Sequence, residues 1–281
     1  DRVWKWGSDN LLPNALSLLA RRSVAHRRII NDKADYIAGK GVIYDDGIPQ
    51  LSHLATCANG DGESLRSVLS RLAMDMAMFG NAFMEVVTDA QRSFLSLYHV
   101  DASRVRVARD SAHVILHHDW SSFTSADAAT LPLYPTFELQ KDKTMRSIIH
   151  LKDYEPMYEH YGVPDYVAGL IDARIGYKTA NWNEQRLDNS FQLSGVMEIS
   201  QDFDNEEQMV ALKNQVEKHF AGKPGQVMFT ISNEAGNNRF TPIQSSNEGD
   251  WLNLHNVAKE DMVTAHSWYV SLSGLDYTTG L

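Results

Sequence analysis

The feature that most constrains this chain is a strand-helix-strand unit of roughly fifty residues set between two helical stretches too long to belong to it. Past Pro164 the text reads as helix for roughly thirty residues, PDYVAGLIDARIGYKTANWNEQRLDNSFQ, with proline suited to the first helical position. At about 1.5 Å per residue this is a rod of ~40 Å. Val167, Leu170, Ile171, Ile175 and Trp182 share one side of it, while Leu187 and Phe191 have moved round to the other. Such a helix meets different neighbours along its length. Trp251, Leu254, Ala258, Met262, Ala265 and Tyr269 recur at intervals of three and four and predict a second long helix of about twenty residues.

The unit between them opens with GVMEIS (195–200), read as a strand, and closes with GQVMFTIS (225–232), read as another. The stretch between the strands is an amphipathic helix. Asp204 and Glu207 stand in capping-box spacing, and Met209, Leu212, Val216 and Phe220 form the stripe expected to be its core. Its other side mixes Glu206, Glu207 and Glu217 with Lys213, Lys218 and, just beyond, Lys223. A mixed-sign face is a solvated surface in the plain reading and a docking surface in the functional one.

The first half is different in texture. Leu16, Leu19 and Ala20, then Ile29, Ile30, Ala34 and Ile37, predict two short helices with GKG (39–41) as the breaker. Leu65, Val68, Leu69, Leu72, Met76 and Phe79 make the clearest stripe, with Gly80 able to cap it. From there the period shortens. AFMEVV, FLSLYHV, RVRVAR, HVILHHDW and SIIHL are short, β-branched and aromatic segments between turns, expected as one antiparallel sheet packed on the helices. SSFTSADAATLPLYP reads as a surface excursion.

Charge and motifs narrow the function. With 36 Asp+Glu against 26 Lys+Arg, the net charge of −10 argues against broad nonspecific binding of nucleic acid. DNA can still pass nearby, because a surface that repels phosphate does not hold it. The one cysteine, Cys57, excludes an intramolecular disulfide and a thiolate zinc site, and a reducing compartment fits. No run approaches the ~18 apolar residues needed to cross a bilayer. The chain starts without Met and ends abruptly at SGLDYTTGL, so a portion of something longer is expected.

Phosphate-binding patterns fail when read literally: GKGVIY has Tyr44 in place of the third glycine, and GKPGQV lacks Ser or Thr after the lysine. No G-x-S-x-G elbow occurs. Histidine offers the best enzymatic case, a metal-dependent hydrolase using His99, His118 and His150, with Glu155, Glu159 and His160 nearby in sequence. Against it, His117 and His118 point to opposite faces of a strand, and Pro156 breaks any helix pairing Glu155 with Glu159. The tryptophans, without interleaved Arg and Lys, read as core or interface anchors rather than base-stacking platforms.

Several of these segments together resemble one family, the portal proteins of tailed bacteriophages. MFGNAFMEVV resembles that family's helix ending in aromatic-Gly-Asn before a strand. LSLYHVDASRVRV is similar to its strand-x-S-R-V-strand segment. IIHLKDYEPMYEHYGVPDYVAGL is similar to its strand ending in His, acidic loop and Tyr-Gly-x-Pro helix start, and FAGKPGQVMF follows the amphipathic helix in matching order. Order and spacing match over most of residues 4–275.

The resemblance implies an α+β, portal-like architecture. Residues 1–161 would be a wing, 162–194 a first stem helix, 195–246 a clip, 247–272 a second stem helix, and 273–281 the start of the tunnel-loop and crown-side region. It implies no enzyme activity, no cofactor and no metal. It also implies a ring, typically dodecameric, at one capsid vertex of the virion, assembled in the host cytoplasm. DNA would be packaged and ejected through the ring, and its partners would be the terminase large subunit, a tail adaptor and the major capsid protein, with no membrane. Another virion component, such as an adaptor, is disfavoured by the stem-clip-stem order.

On this reading Tyr161, Gly162 and Pro164 are the hinge between wing and stem. Val167, Leu170, Ile171, Ile175, Trp182, Trp251, Leu254 and Met262 are candidates for the subunit interface. Glu206, Lys213, Glu217 and Lys218 are candidates for clip docking.

Overall fold

The computed structural model describes residues 2–188, 195–200, 205–220, 227–232, 238–241 and 248–272. They fall into two compact units, one made of Asp1–Arg174 with Lys259–Leu281 and the other of Ile175–Ala258. The predicted mixture of helix and antiparallel sheet is what is found.

The first unit begins with helices α1 (Leu12–Arg22), α2 (Val24–Ala38), α3 (Pro49–Thr56) and α4 (Leu65–Phe79). The sequence reading missed α3, whose eight residues include none that is buried, so it carries no stripe to read. α4 is the pivot of the unit. Ser64 Oγ accepts the Ser67 N–H at its start, and Gly80 ends it in the left-handed region at φ 64°.

The strands are β1 (Asn81–Thr88), β2 (Ser96–Val100), β3 (Val105–Val107), β4 (His113–Leu116), β5 (Ala129–Pro132), β6 (Glu138–Leu139) and β7 (Met145–Lys152). They form two sheets, where one was expected: β2-β1-β7-β6 and β3-β4-β5. The stretch read as a surface excursion supplies β5, whose Leu131 and Pro132 are buried. Three short strands cannot shield a core alone, and the two sheets share one. Phe83 and Ile148 of the first sheet join Val105, Val107, Val114 and Leu131 of the second in a single apolar cluster. On the opposite face of β1, Ala82 and Met84 pack with Val68 and Leu72 of α4.

After β7 the chain makes an exposed loop, a 3-10 turn (Asp165–Gly169) and then α5 (Leu170–Asp188). The expected helix from Pro164 therefore begins its α-helical part later, at Leu170. α7 (Glu248–Ala265) returns to the first unit at its C-terminal end, where Met262 and Val263 pack with Ile29 and Ala173.

In the second unit β8 (Gly195–Ser200), α6 (Glu206–Phe220) and β9 (Val227–Ser232) form the predicted strand-helix-strand unit, with β8 and β9 parallel from Gly195↔Val227 to Ser200↔Ser232. β10 (Arg239–Thr241) adds to β8 antiparallel. Asp204 of the expected capping box lies outside the described residues. Asn205 Oδ1 accepts the Gln208 N–H instead. No described helix is long and apolar enough to cross a membrane.

Candidate functional site at the strand-to-helix junction

The residues predicted to form a hinge lie where β1 leaves α4 and where the chain leaves β7 for α5. The local sequence is Phe79-Gly80-Asn81 against Tyr161-Gly162-Val163-Pro164. Asn81 is fully buried, and its amide bridges the two segments. Nδ2 donates to Phe79 O and Gly162 O, both at 2.8 Å, while Oδ1 accepts from Gly162 N at 2.8 Å and His150 Nε2 at 3.0 Å. Both donors and both acceptor positions of the amide are in use.

The backbones meet without side chains between them. Asp153 N donates to Gly80 O. A Cβ on Gly162 would lie 2.2 Å from Gly80 O, and one on Gly80 would lie 2.6 Å from Val163 C. Only glycine fits at either position.

Aromatic groups lock the same segment from the other side. Tyr161 stacks on Trp6 with centroids 4.5 Å apart. Its hydroxyl donates to Trp4 O at 2.7 Å and accepts from Val107 N at 3.0 Å, and burial pushes it up to about 12. Tyr166 is fully buried and its hydroxyl donates to Met78 O. His150 stacks on Phe83 at 4.2 Å and is held down to about 3, by burial first and then by Lys152. It is a neutral Nε2–H donor to Asn81.

Beneath Trp6 lies Arg106, fully buried and held between Trp6 and Trp120 at 5.4 and 4.9 Å. Its guanidinium donates to Asn10 Oδ1, Asn10 O, Ser103 O and Val105 O. Burial lowers its pKa to about 10, so it stays a cation at neutral pH.

This arrangement ties the segment after β7 to the end of α4 and the start of β1. Tyr161, Gly162 and Pro164 are buried. The surface loop is the preceding segment, where Tyr154, Met157 and Tyr158 are exposed.

The other predicted residues divide. Met262 is 1% exposed in the first unit's own core, which removes it from the candidate interface. Leu170 is partly buried against the main core. Val167, Ile171 and Leu254 are exposed at 46%, 69% and 40%, and Ile175 and Trp182 are half-buried. Met209 and Leu212 of the clip stripe are half-buried, and Glu206 is exposed. The side chains of Val216, Phe220, Trp251, Lys213, Glu217 and Lys218 lie outside the described residues.

The histidines proposed for a hydrolase do not converge. The register pairs His99 with Met84 and His150 with Phe83, adjacent residues of β1, so the two imidazoles project from opposite faces of the sheet. His99 Nε2 is 2.8 Å from Asp75 Oδ2, and exposed His118 lies against His117. Among the described residues no group of three or more His, Cys, Asp or Glu side chains is placed to hold a metal ion.

Sequence reasoning missed Asn81, Arg106, His26 and His266. The signal for Asn81 was present: a glycine that ends a helix is followed by an amide at the first position of a buried strand, where its polar atoms need partners.

Against known proteins, the family model described as phage portal protein matches residues 50–267. The probable portal protein of Haemophilus phage HP1 (strain HP1c1) is 22% identical over 269 residues, covering 93% of this chain and 68% of that protein. An uncharacterized protein of Rickettsia bellii (strain RML369-C) is 26% identical over 155 residues, 54% of this chain and 37% of that protein. Among solved structures, a chain in the neck of a native gene transfer agent particle, computed with C12 symmetry, superposes with a TM-score of 0.62 at 17% identity, over 100% of this chain and 74% of that one. An HK97-family phage portal protein from Corynebacterium diphtheriae gives 0.52 at 11% identity, over 94% and 80%. At these identities the structural likeness speaks to the fold.

Proposed function

The chain belongs to the phage portal protein family, and from that premise we propose that copies of it form a closed ring at one vertex of a virion, through which double-stranded DNA is packaged and ejected. The observation that carries the reading is the family match over residues 50–267, together with the fold it shares with a chain of a C12-symmetric particle neck. Exposed apolar residues on α5 and α7 support it. A ring made of head-to-tail contacts needs each copy to bury surface against two neighbours.

The net charge of −10 suits a channel in which DNA slides, since a lining rich in Lys and Arg would retain phosphate through counterion release. The role is architectural and asks for no chemistry from this chain. We assign the terminase large subunit and a tail adaptor to the clip at residues 195–246, and the major capsid protein to the wing at 1–161, with assembly in the host cytoplasm. The wing-stem boundary then falls at the Gly162 junction. Deleting the coding sequence is expected to leave capsids without DNA. Capsids filled to the normal level in its absence would overturn the proposal.

A further inference from the structure

A second cluster of buried titratable groups in the first unit takes no part in the junction. His26, in the first turn of α2, and His266, just past the end of α7, are both fully buried, with His26 Nδ1 2.8 Å from His266 Nε2. Tyr166 stands edge-on to His26 at 4.4 Å and tilted over His266 at 4.7 Å. Beside them Gly169 comes so close to α7 that a Cβ on it would lie 2.5 Å from Ala265 Cβ. Three segments distant in sequence meet on one imidazole pair.

Two neutral imidazoles share one proton between their facing nitrogens, so one donates and the other accepts. The outward nitrogens, His26 Nε2 and His266 Nδ1, are buried and have no hydrogen-bond partner. Asp165 Oδ1 lies 4.0 Å from His266 Nδ1, and Asp165 is itself paired with Lys33 Nζ. The carboxylate favours a proton on His266 Nδ1. That makes His266 Nε2 the acceptor and leaves His26 Nε2 as a bare lone pair sealed in the core.

The charged groups acting on the pair are Arg27 and Lys33 from α2 and Asp165 from the 3-10 turn. Asp153, after β7, is coupled to Asp165 and Lys33. Two cations face one carboxylate that already has a partner, so another positive charge is unwelcome. Burial and then Arg27 hold His26 at about 4, and burial, then His26 and Lys33, hold His266 at about 2.

We propose that His26 and His266 form an acid-sensitive latch, which holds the end of α7 on α2 while both rings are neutral and releases residues 259–272 when the rings are protonated. A proton on His26 Nε2 finds no acceptor inside, and a second proton sets N–H against N–H across the 2.8 Å contact. The rings are therefore protonated by leaving the site. Both pKa values are lower folded than unfolded, so the latch is fully closed above the ordinary imidazole value of about 6.5 and weakens as pH falls below it.

Hydrogen exchange on the purified protein, at about pH 7.5 and about pH 5.0 with labelling times scaled to intrinsic rates, tests this. Peptides within 259–272 are expected to lose about a thousandfold protection at the lower pH while still exchanging faster than peptides of α4, and the double substitution His26→Gln with His266→Gln to abolish that difference between the two pH values. Exchange of 259–272 at the same rate as α4 at the lower pH would indicate global unfolding and overturn the latch. So would an unchanged difference in the double variant, or its abolition by His150→Gln alone. Should the double variant fail to fold, the wild-type comparison and the His150→Gln control still decide.

Discussion

All of the hydrogen-bonding capacity of Asn81 goes into one crossing of backbone and the His150 ring beside it, so its loss strands several partners at once. Asn81→Ala leaves Phe79 O, Gly162 O, Gly162 N and His150 Nε2 without that partner. A destabilisation of about 3 kcal/mol or more is expected in chemical denaturation, because each orphaned buried group costs ~1–3 kcal/mol. A loss below about 1 kcal/mol would mean that water replaces the amide. Gly162→Ala should be at least as damaging, since its Cβ meets a carbonyl oxygen at 2.2 Å. Its first effect is on folding, with assembly affected as a consequence.

Two buried imidazoles and one half-buried give a separate pH signature. His26, His150 and His266 are all depressed when folded, so each contributes stability in full above about pH 6.5, and each costs about 2 kcal/mol at pH 5. The melting temperature is expected to drop by roughly 5 °C or more between pH 7 and pH 5. His113, raised by its bonds to Asp110 and Glu138, acts in the opposite sense but is more exposed and weakens the drop only slightly. A flat profile would show that the imidazoles are hydrated in the folded state.

At the scale of elements, Gly169 lies close against the end of α7. Gly169→Ala should lower stability. Ala265→Gly in the same chain should recover much of the loss, because it removes the atom that the new Cβ meets at 2.5 Å. A double-mutant cycle with no coupling would place the damage elsewhere. In the second unit Leu212 is half-buried, so Leu212→Ala is expected to cost about 1–2 kcal/mol, below the range for a sealed core position.

These elements also show what could be read in advance. α4 and the β8-α6-β9 unit announce themselves by apolar residues at the right period, β1 by a short β-branched and aromatic run buried on both faces, and Gly80 ends α4 as glycine after a stripe should. α3 has no buried face, and β5 sits in a polar stretch, so periodicity passes over both. The junction was located by Gly162 and Pro164, but its chemistry was not. Asn81, Arg106 and the pair His26 and His266 work through partners 81, 96 and 240 residues away, and no local pattern encodes such distances.

For the molecule as a whole, the family assignment and the fold agree, and the account rests on assembly. Val167, Ile171 and Leu254 are exposed among the described residues, whereas Met262 is buried and Leu170 packs on the first unit's core. Ile171→Asp should lower the yield of assembled ring while leaving the circular-dichroism spectrum of the subunit unchanged. A normal ring yield would remove that position from the interface. The most direct test of the central claim is electron microscopy of the purified protein at micromolar concentration. The account predicts closed rings with a central hole, and a uniform population of monomers would contradict it.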